Sequence, residues 1–177
     1  SIVAEAGTER PVDTIICATG FHVTDMPLPR LVRGRDGQVL ADVWKGSPQA
    51  YLGTSIAGFP NFFLMIGPNT GLGHTSMVYM IESQITYILD CLRVMDRDHL
   101  STVEVRPDTL DNFGAEMQRR MQGTVWTSGC ASWYLDRNGH NSTLWPGFTF
   151  EFRRRTRHFD AQSYVLSARK EAVAVQA

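Results

Sequence analysis

The sequence predicts an α/β fold, and three stretches carry that prediction. The apolar run at residues 62–66 has the length of a short buried strand, and a glycine-rich loop and apolar residues at helical spacing follow it. A second strand-like stretch, residues 103–106, alternates in polarity and leads into another helical pattern from Pro107. A third, residues 15–17, is apolar and ends in small residues. Strands that alternate with helices along a chain favour this class.

Composition limits the kind of protein this is. The chain has 177 residues, of which 43% are hydrophobic and 20% charged, as is typical of a globular domain and not of a disordered segment. The formal net charge of −1 gives no overall field that would attract nucleic acid. Polar residues interrupt the long helical stretch after Met77, which argues against a membrane span.

The beginning of the chain predicts a short strand at residues 1–5, a turn at Gly7, and a paired strand at residues 12–17. Because the chain starts without an initiator methionine, we expect a segment of a longer protein. The first residues lack the charged start and apolar core of a signal peptide. The three cysteines are far apart and have no paired spacing, so we expect reduced thiols and a cytoplasmic location.

The stretch from residue 22 to residue 58 is rich in turns. Asp36 and Gly37 predict a hairpin between residues 31–33 and 38–40. Near the other end, three phenylalanines alternate with polar residues at 148–152, which predicts a strand with one aromatic, buried face.

Two amphipathic helices are predicted in the middle of the chain. The first begins near Met77, and the second follows Pro107 with Asp108 as its N-cap. The predicted buried faces are Met77, Ile81, Ile85, Ile88, Leu92 and Met95 on the first helix, and Leu110, Phe113, Met117 and Met121 on the second.

The loop at residues 67–76 is the strongest candidate for a binding site. A strand that delivers a glycine-rich loop to a helix N-terminus places free backbone N–H groups and the positive end of the helix dipole at one point. Such a point suits an anionic or electron-rich ligand, but the pattern alone names none.

Other common sites have no support in the sequence. The five histidines show no metal-ligand spacing. No serine has the glycine-flanked elbow of a hydrolase, and no phosphate-binding P-loop occurs. Gly71 and Gly73 form a Gly-x-Gly pair without the third glycine of a dinucleotide fingerprint.

Four segments together resemble the class B flavoprotein monooxygenases. Residues 13–21 (DTIICATGF) resemble their ATG motif, and residues 53–69 (GTSIAGFPNFFLMIGPN) are similar to their late FAD-domain strand and loop. Residues 132–134 (SWY) and 145–148 (WPGF) match the closing region of the Baeyer–Villiger and 4-hydroxyacetophenone monooxygenase branch. Each motif is weak alone, but four in order, over about residues 12–159, are specific.

The resemblance implies the C-terminal portion of a Rossmann-like flavoprotein with two dinucleotide-binding domains. By that resemblance, residues 1–21 end the NADP domain, residues 22–100 return into the FAD domain, and residues 101–177 close the fold. It implies FAD and NADP(H) as cofactors, with Thr75, Ser76 and Met77 facing the flavin ring. It also assigns Gly67, Pro68 and Asn69 to the cofactor loop, Thr19 and Gly20 to the link between domains, and Trp133 and Tyr134 to the substrate and NADP pocket.

The implied reaction transfers one oxygen atom from O2 to a ketone or a heteroatom through a flavin C4a-peroxide. The family's glycine fingerprints and its active-site arginine have no counterpart here, so the resemblance places no catalytic residue in this segment and implies that it needs the missing N-terminal part. Two alternatives stay open: a flavin N-hydroxylase or disulfide-reductase type of enzyme, and a non-catalytic remnant that serves as an interaction protein.

Overall fold

The computed structural model describes residues 1–18, 26–127, 132 and 134–169. Its strands are β1 (Ile2–Val3), β2 (Glu9–Arg10), β3 (Leu100–Val105) and β4 (Tyr164–Ala168). Its helices are α1 (Leu28–Leu31), α2 (Leu40–Trp44), α3 (Met77–Arg97), α4 (Pro107–Met121) and α5 (Thr149–Arg155), with 3₁₀ turns at Arg35–Gly37 and Ala161–Ser163.

The described strands form two antiparallel pairs. β1 pairs with β2, and β3 pairs with β4 from Val105 opposite Tyr164 to Leu100 opposite Ala168. The main core lies where α3, α4 and α5 meet the β3–β4 pair, and a smaller core surrounds α2. The main core is formed by Leu52, Met80, Tyr87, Cys91, Leu100, Val103, Val105, Phe113, Met117, Trp145, Phe152, Phe159 and Tyr164.

Both long helices and strand β3 are confirmed. α3 begins at Met77, and α4 buries the four predicted residues Leu110, Phe113, Met117 and Met121. The predicted cap of α4 is wrong, because Arg106 occupies the N-cap position and Asp108 lies in the first turn. Within the described residues, no helix is long and apolar enough to cross a membrane.

The predicted buried face of α3 is largely wrong. Ile85 and Leu92 are 43% and 46% exposed, whereas the buried positions of α3 include the polar side chains Ser83 and Gln84. Burial of a polar side chain is tolerated where hydrogen bonds satisfy it, and Gln84 has such partners. The predicted stripe therefore lies at the edge of the buried face. Its other four residues are half-buried, and Met77 and Met95 pack against the main core.

The strand predicted at residues 62–66 is wrong. Only Phe63 forms a bridge, with Ser55, and both Asn61 and Ile66 have positive φ values, of 59° and 54°. These left-handed residues turn the backbone at both ends of the run. A fully buried strand also needs partners on both sides, and the described residues supply one bridge.

Two further strand predictions are wrong. Ile15 and Ile16 are 61% and 85% exposed and belong to no strand, and β1 pairs with residues 9–10 in place of 12–17. The predicted hairpin turn is confirmed, because Asp36 and Gly37 have positive φ values and the flanking residues Arg33 and Val39 form an antiparallel bridge.

The aromatic stretch at 148–152 forms helix α5 instead of a strand. Phe152 is fully buried, and Phe148 and Phe150 are both 67% exposed. The spacing of two that suggests a strand places only one of the three rings in the core of a helix.

Candidate functional site

The predicted cofactor loop leads to an open helix N-terminus. Ser76, the N-cap of α3, has an extended backbone, and its side chain makes no capping hydrogen bond. Thr75 and Ser76 are exposed and Met77 is half-buried. The N–H groups of the first turn of a helix have no partner within that helix, so this end of α3 can donate to a ligand.

Two glycines bring the start of the loop against the preceding turn. A Cβ atom on Gly67 would lie 2.2 Å from the carbonyl oxygen of Gly53, and a Cβ on Gly53 would lie 2.1 Å from the side chain of Thr70. Gly53 also has a φ of 61°. Because only glycine permits such a close backbone approach, both residues set the path of the chain into the loop.

Gln84 joins the same elements from inside the protein. Its Nε2 donates to the carbonyl oxygen of Gly53 at 3.0 Å and to Thr54 Oγ1 at 2.9 Å, and its Oε1 accepts from the backbone N–H of Ile66 at 2.9 Å. This fully buried residue of α3 therefore holds both ends of the segment that precedes the loop. Sequence reasoning missed its role. The available signal was a glutamine among apolar residues on a helix.

A second set of hydrogen bonds fastens the loop to residues 141–145, which we call the anchor segment. Backbone bonds join the N–H of Asn69 to the carbonyl oxygen of Ser142 at 2.8 Å and the N–H of Gly71 to that of Thr143 at 2.9 Å. The N–H of Trp145 returns to the carbonyl oxygen of Gly71 at 2.9 Å. Asn69 Nδ2 donates to the carbonyl oxygens of residues 141 and 144, at 2.9 Å each.

Tyr134 lies close to the loop through Trp126. A Cβ atom on Gly73 would lie 2.6 Å from the ring of Trp126, which meets the ring of Tyr134 edge to face with centroids 5.5 Å apart. The structure thus brings one predicted pocket residue beside the predicted cofactor loop. Thr19, Gly20 and Trp133 lie outside the described residues.

The WPGF motif has a structural explanation. Trp145 is 3% exposed, and the guanidinium groups of Arg120 and Arg155 lie over its ring at 5.2 and 5.6 Å. Arg120 forms two hydrogen bonds with Glu151, at 2.7 and 2.6 Å, and Arg155 pairs with Glu116. This charged network joins α4 to α5 around the tryptophan.

The arginines of this network favour the ionised forms of Glu116 and Glu151. Hydrogen bonds from Arg155 lower the pKa of Glu116 below its ordinary value, and those from Arg120 lower the pKa of Glu151, while partial burial opposes both shifts. A Cβ atom on Gly147 would lie 2.5 Å from Arg120 and 2.6 Å from Glu151. The glycine of the motif therefore leaves room for the ion pair.

A polar cavity of about 190 Å³ lies behind the loop and is lined in part by Asn69, Asp136, His140 and Ser142. Another, of about 440 Å³, lies between α3 and α5 and is lined in part by Tyr79 and Arg153. In the part of the chain that the structure describes, no group of histidine, cysteine or acidic side chains could hold a metal ion.

Comparisons with known proteins give a consistent result. No protein-family model matches the chain. A Baeyer-Villiger monooxygenase of Pseudomonas aeruginosa is 53% identical over 169 residues, and one of Streptomyces coelicolor is 51% identical over 166 residues. The match to the first covers 94% of this chain, and the match to the second covers 93%.

Solved structures agree. Cyclohexanone monooxygenase in its closed crystal form superimposes with a TM-score of 0.77 at 27% identity, over 94% of this chain. The enzyme of that name from Rhodococcus sp. Phi1, bound to NADP+, gives 0.75 at the same identity and coverage. The chain belongs to the class B flavoprotein monooxygenases. It spans about a third of their length, since the matches cover 32% of each of these four proteins.

The likeness confirms the predicted fold class, the C-terminal portion of an α/β flavoprotein with two dinucleotide-binding domains. In this monooxygenase segment, the predicted site residues fall into two groups. Thr75, Ser76 and Met77 lie at the accessible end of α3, whereas Pro68 and Asn69 are buried at the start of the loop.

Proposed function

We propose that this chain is part of an FAD- and NADPH-dependent monooxygenase that inserts one oxygen atom from O2 into a ketone, as in a Baeyer–Villiger oxidation, or into a heteroatom. The observation that carries the proposal is the shaped loop at residues 67–76, which ends at an uncapped, accessible helix N-terminus. Donors at such a point can stabilise the negative charge of a reduced flavin. Bound FAD would supply the oxygen-transfer chemistry.

The two ends of the loop have different roles in this proposal. The backbone N–H groups of Thr75, Ser76 and Met77 face the electron-rich edge of the flavin ring. Gly67, Pro68 and Asn69 give the loop its path, and the burial of Pro68 and Asn69 supports a shaping role without direct contact.

Other parts of the proposal rest on the resemblance. Thr19 and Gly20 link the two domains, and Trp133 with Tyr134 lines the substrate and NADP(H) pocket. The contact between Trp126 and Tyr134 beside Gly73 supports the position of that pocket. The division at residues 21 and 100 and a cytoplasmic location belong to the same proposal.

We also propose that the segment needs the rest of the parent enzyme to hold FAD. One side of α3, which we call its outer face, exposes the apolar side chains of Val78, Ile85, Leu89 and Leu92. The relatives are about three times longer than this chain. An apolar helix face of this kind is typical of a surface that another part of the fold covers. No observation favours the N-hydroxylase or the non-catalytic alternative.

The decisive experiment compares the parent enzyme with residues 1–177 alone. We expect the parent to retain FAD after desalting and to oxidise NADPH faster with a ketone than with an amine, and the segment to retain no flavin. A parent without flavin would contradict the proposed function. A segment that retains stoichiometric FAD would contradict its dependence on the remaining chain.

One substitution tests the helix N-terminus itself. Met77 is the first helical residue and Ser76 is extended before it, so Met77→Pro removes one backbone N–H at a position where proline suits a helix. Met77→Ala is the matched control, because it removes the side chain and keeps the N–H. We expect Met77→Pro to weaken FAD binding to the parent about tenfold more than Met77→Ala, the effect of one charge-assisted hydrogen bond. Equal affinities would show that this N–H does not face the flavin.

A further inference from the structure

Five hydrogen bonds hold the loop against the anchor segment, and Asn69 provides three of them. Its backbone N–H and both hydrogens of its side-chain amide are donated to carbonyl oxygens of the anchor segment. Asn69 is 5% exposed and has a φ of 56°, a conformation that asparagine tolerates better than most residues. Its side chain thus donates hydrogen bonds to the backbone of the anchor segment.

The anchor segment has hydrogen bonds of its own and is covered at one end. Asn141 is fully buried, and its Oδ1 accepts from the N–H groups of Thr143 and Leu144 at 3.2 and 3.0 Å. At its end, Trp145 lies beneath two arginines that join α4 to α5. A loop fastened to this segment therefore takes its position from the helices behind it.

We propose that Asn69 is a positioning residue of the flavin site. In this role its side-chain amide does not contact the cofactor, because both of its hydrogens are donated to the anchor segment. By fastening the loop to the anchor segment, its amide fixes where the N–H groups of Thr75, Ser76 and Met77 lie at the end of α3. The inference deepens the proposed function and rests on it wherever the flavin is concerned.

The chain contains a matched control for this role. Asn61 also has a left-handed backbone, with a φ of 59°. Its side chain makes two hydrogen bonds of 2.9 Å, to the carbonyl oxygen of Ser101 and from the N–H of Val103, and neither involves the loop. Asn69→Gly and Asn61→Gly both keep a residue suited to positive φ and both remove a side chain with two hydrogen bonds.

The first test is amide hydrogen exchange of residues 1–177, which needs no flavin. We expect Asn69→Gly to raise exchange at the hydrogen-bonded N–H groups of residues 69, 71 and 145 about tenfold, because two lost hydrogen bonds favour local opening by roughly that factor. Asn61→Gly should raise exchange near residues 101–103 and leave residues 69, 71 and 145 unchanged. Unchanged exchange at residues 69, 71 and 145 in Asn69→Gly would overturn the proposal, as would an equal rise there in Asn61→Gly.

The second test uses the parent enzyme with bound FAD. We expect Asn69→Gly to shift the flavin reduction potential and its visible spectrum, and Asn61→Gly to leave both at the wild-type values while lowering only the Tm. A flavin potential unchanged by Asn69→Gly would overturn the positioning role. A parent that binds no FAD would instead contradict the proposed function, and the exchange result would still decide whether Asn69 holds the loop. Asn69→Ala, which stays neutral and loses both amide donors, replaces the glycine variant if that variant does not fold.

Discussion

At the scale of single residues, glycine contacts decide the path of the loop. The Cβ added by Gly67→Ala would meet a backbone carbonyl, that of Gly53, at 2.2 Å, and a backbone atom cannot yield as a side chain can. We expect this variant to unfold about 1–3 kcal/mol more easily, as overpacked sites do. Denaturant unfolding followed by circular dichroism measures the change.

Gly114→Ala is the control for this prediction. Its Cβ would meet only the flexible side chain of Gln49, at 3.2 Å, and it lies inside α4, where alanine favours a helix over glycine by about 1 kcal/mol. We expect this variant to be as stable as the wild type or more stable. A Gly67→Ala variant as stable as the wild type would contradict the close approach of the Gly67 backbone to the carbonyl group of Gly53.

The main core contains a chain of buried hydroxyl groups, which the residue types alone do not reveal. Tyr87 and Tyr164 contribute to the apolar core, but Tyr87 donates to Tyr164 at 3.1 Å, and Tyr164 donates to Ser55 at 3.0 Å. Burial raises the pKa of both phenols well above the ordinary value. These hydroxyls therefore stay protonated and satisfy one another across three distant segments.

At the scale of elements, the charged network around Trp145 joins α4 to α5. The pKa of Glu151 is lowered in the folded protein, so its contribution to stability is present above the unfolded pKa of about 4.3 and is lost as the pH falls through the folded value. We expect Glu151→Gln to lose about 1–2 kcal/mol at pH 7 and to show a weaker fall in stability between roughly pH 5 and 3. Unfolding by urea across this range measures both effects.

Glu82→Gln is the matched control for Glu151→Gln. Glu82 is exposed on α3, and the ion pairs found among the described residues do not include it. We expect its replacement to leave stability within about 0.5 kcal/mol of the wild type at pH 7. Identical pH profiles for Glu151→Gln and the wild type would contradict a stabilising role for the network.

The elements also show which parts of the fold can be predicted from sequence. α3 and α4 were predictable because helical spacing and the boundaries near Met77 and Pro107 are local signals. Strand 62–66 was not, because a strand depends on partners elsewhere in the chain. The buried face of α3 was missed for the same reason: Gln84 is buried by hydrogen bonds to residues about 30 positions away.

The candidate site follows the same division. The loop and the helix N-terminus were predictable from glycine spacing and from the family motifs. The anchoring of Asn69 to residues 141–145 was not, because no local pattern relates an asparagine to carbonyl groups more than 70 positions later. The role of WPGF as a tryptophan covered by two arginines likewise depends on α4, which contributes Arg120.

At the scale of the whole molecule, the outer face of α3 supports the proposal that the rest of the parent enzyme packs against it. Val78, Ile85, Leu89 and Leu92 are 61%, 43%, 46% and 46% exposed and share one side of the helix. Contiguous apolar surface of this kind usually marks an interaction site. In a chain that spans about a third of its relatives, the remaining part of the parent enzyme is the partner we expect.

The double substitution Ile85→Ser and Leu89→Ser tests this arrangement. In residues 1–177 alone, more than half of each side chain is already buried, so we expect a moderate loss of Tm, smaller than in the parent, and a lower fluorescence of a bound hydrophobic dye. In the parent, the same change removes buried apolar contacts, and we expect a loss of about 2–4 kcal/mol, since each side chain contributes roughly 1–2 kcal/mol when covered. Thr86→Ser, an exposed position on the same helix, should change neither protein. An equal effect of the double substitution in both proteins would mean that this face of α3 is exposed in the parent enzyme as well, and that the two parts of the fold meet elsewhere.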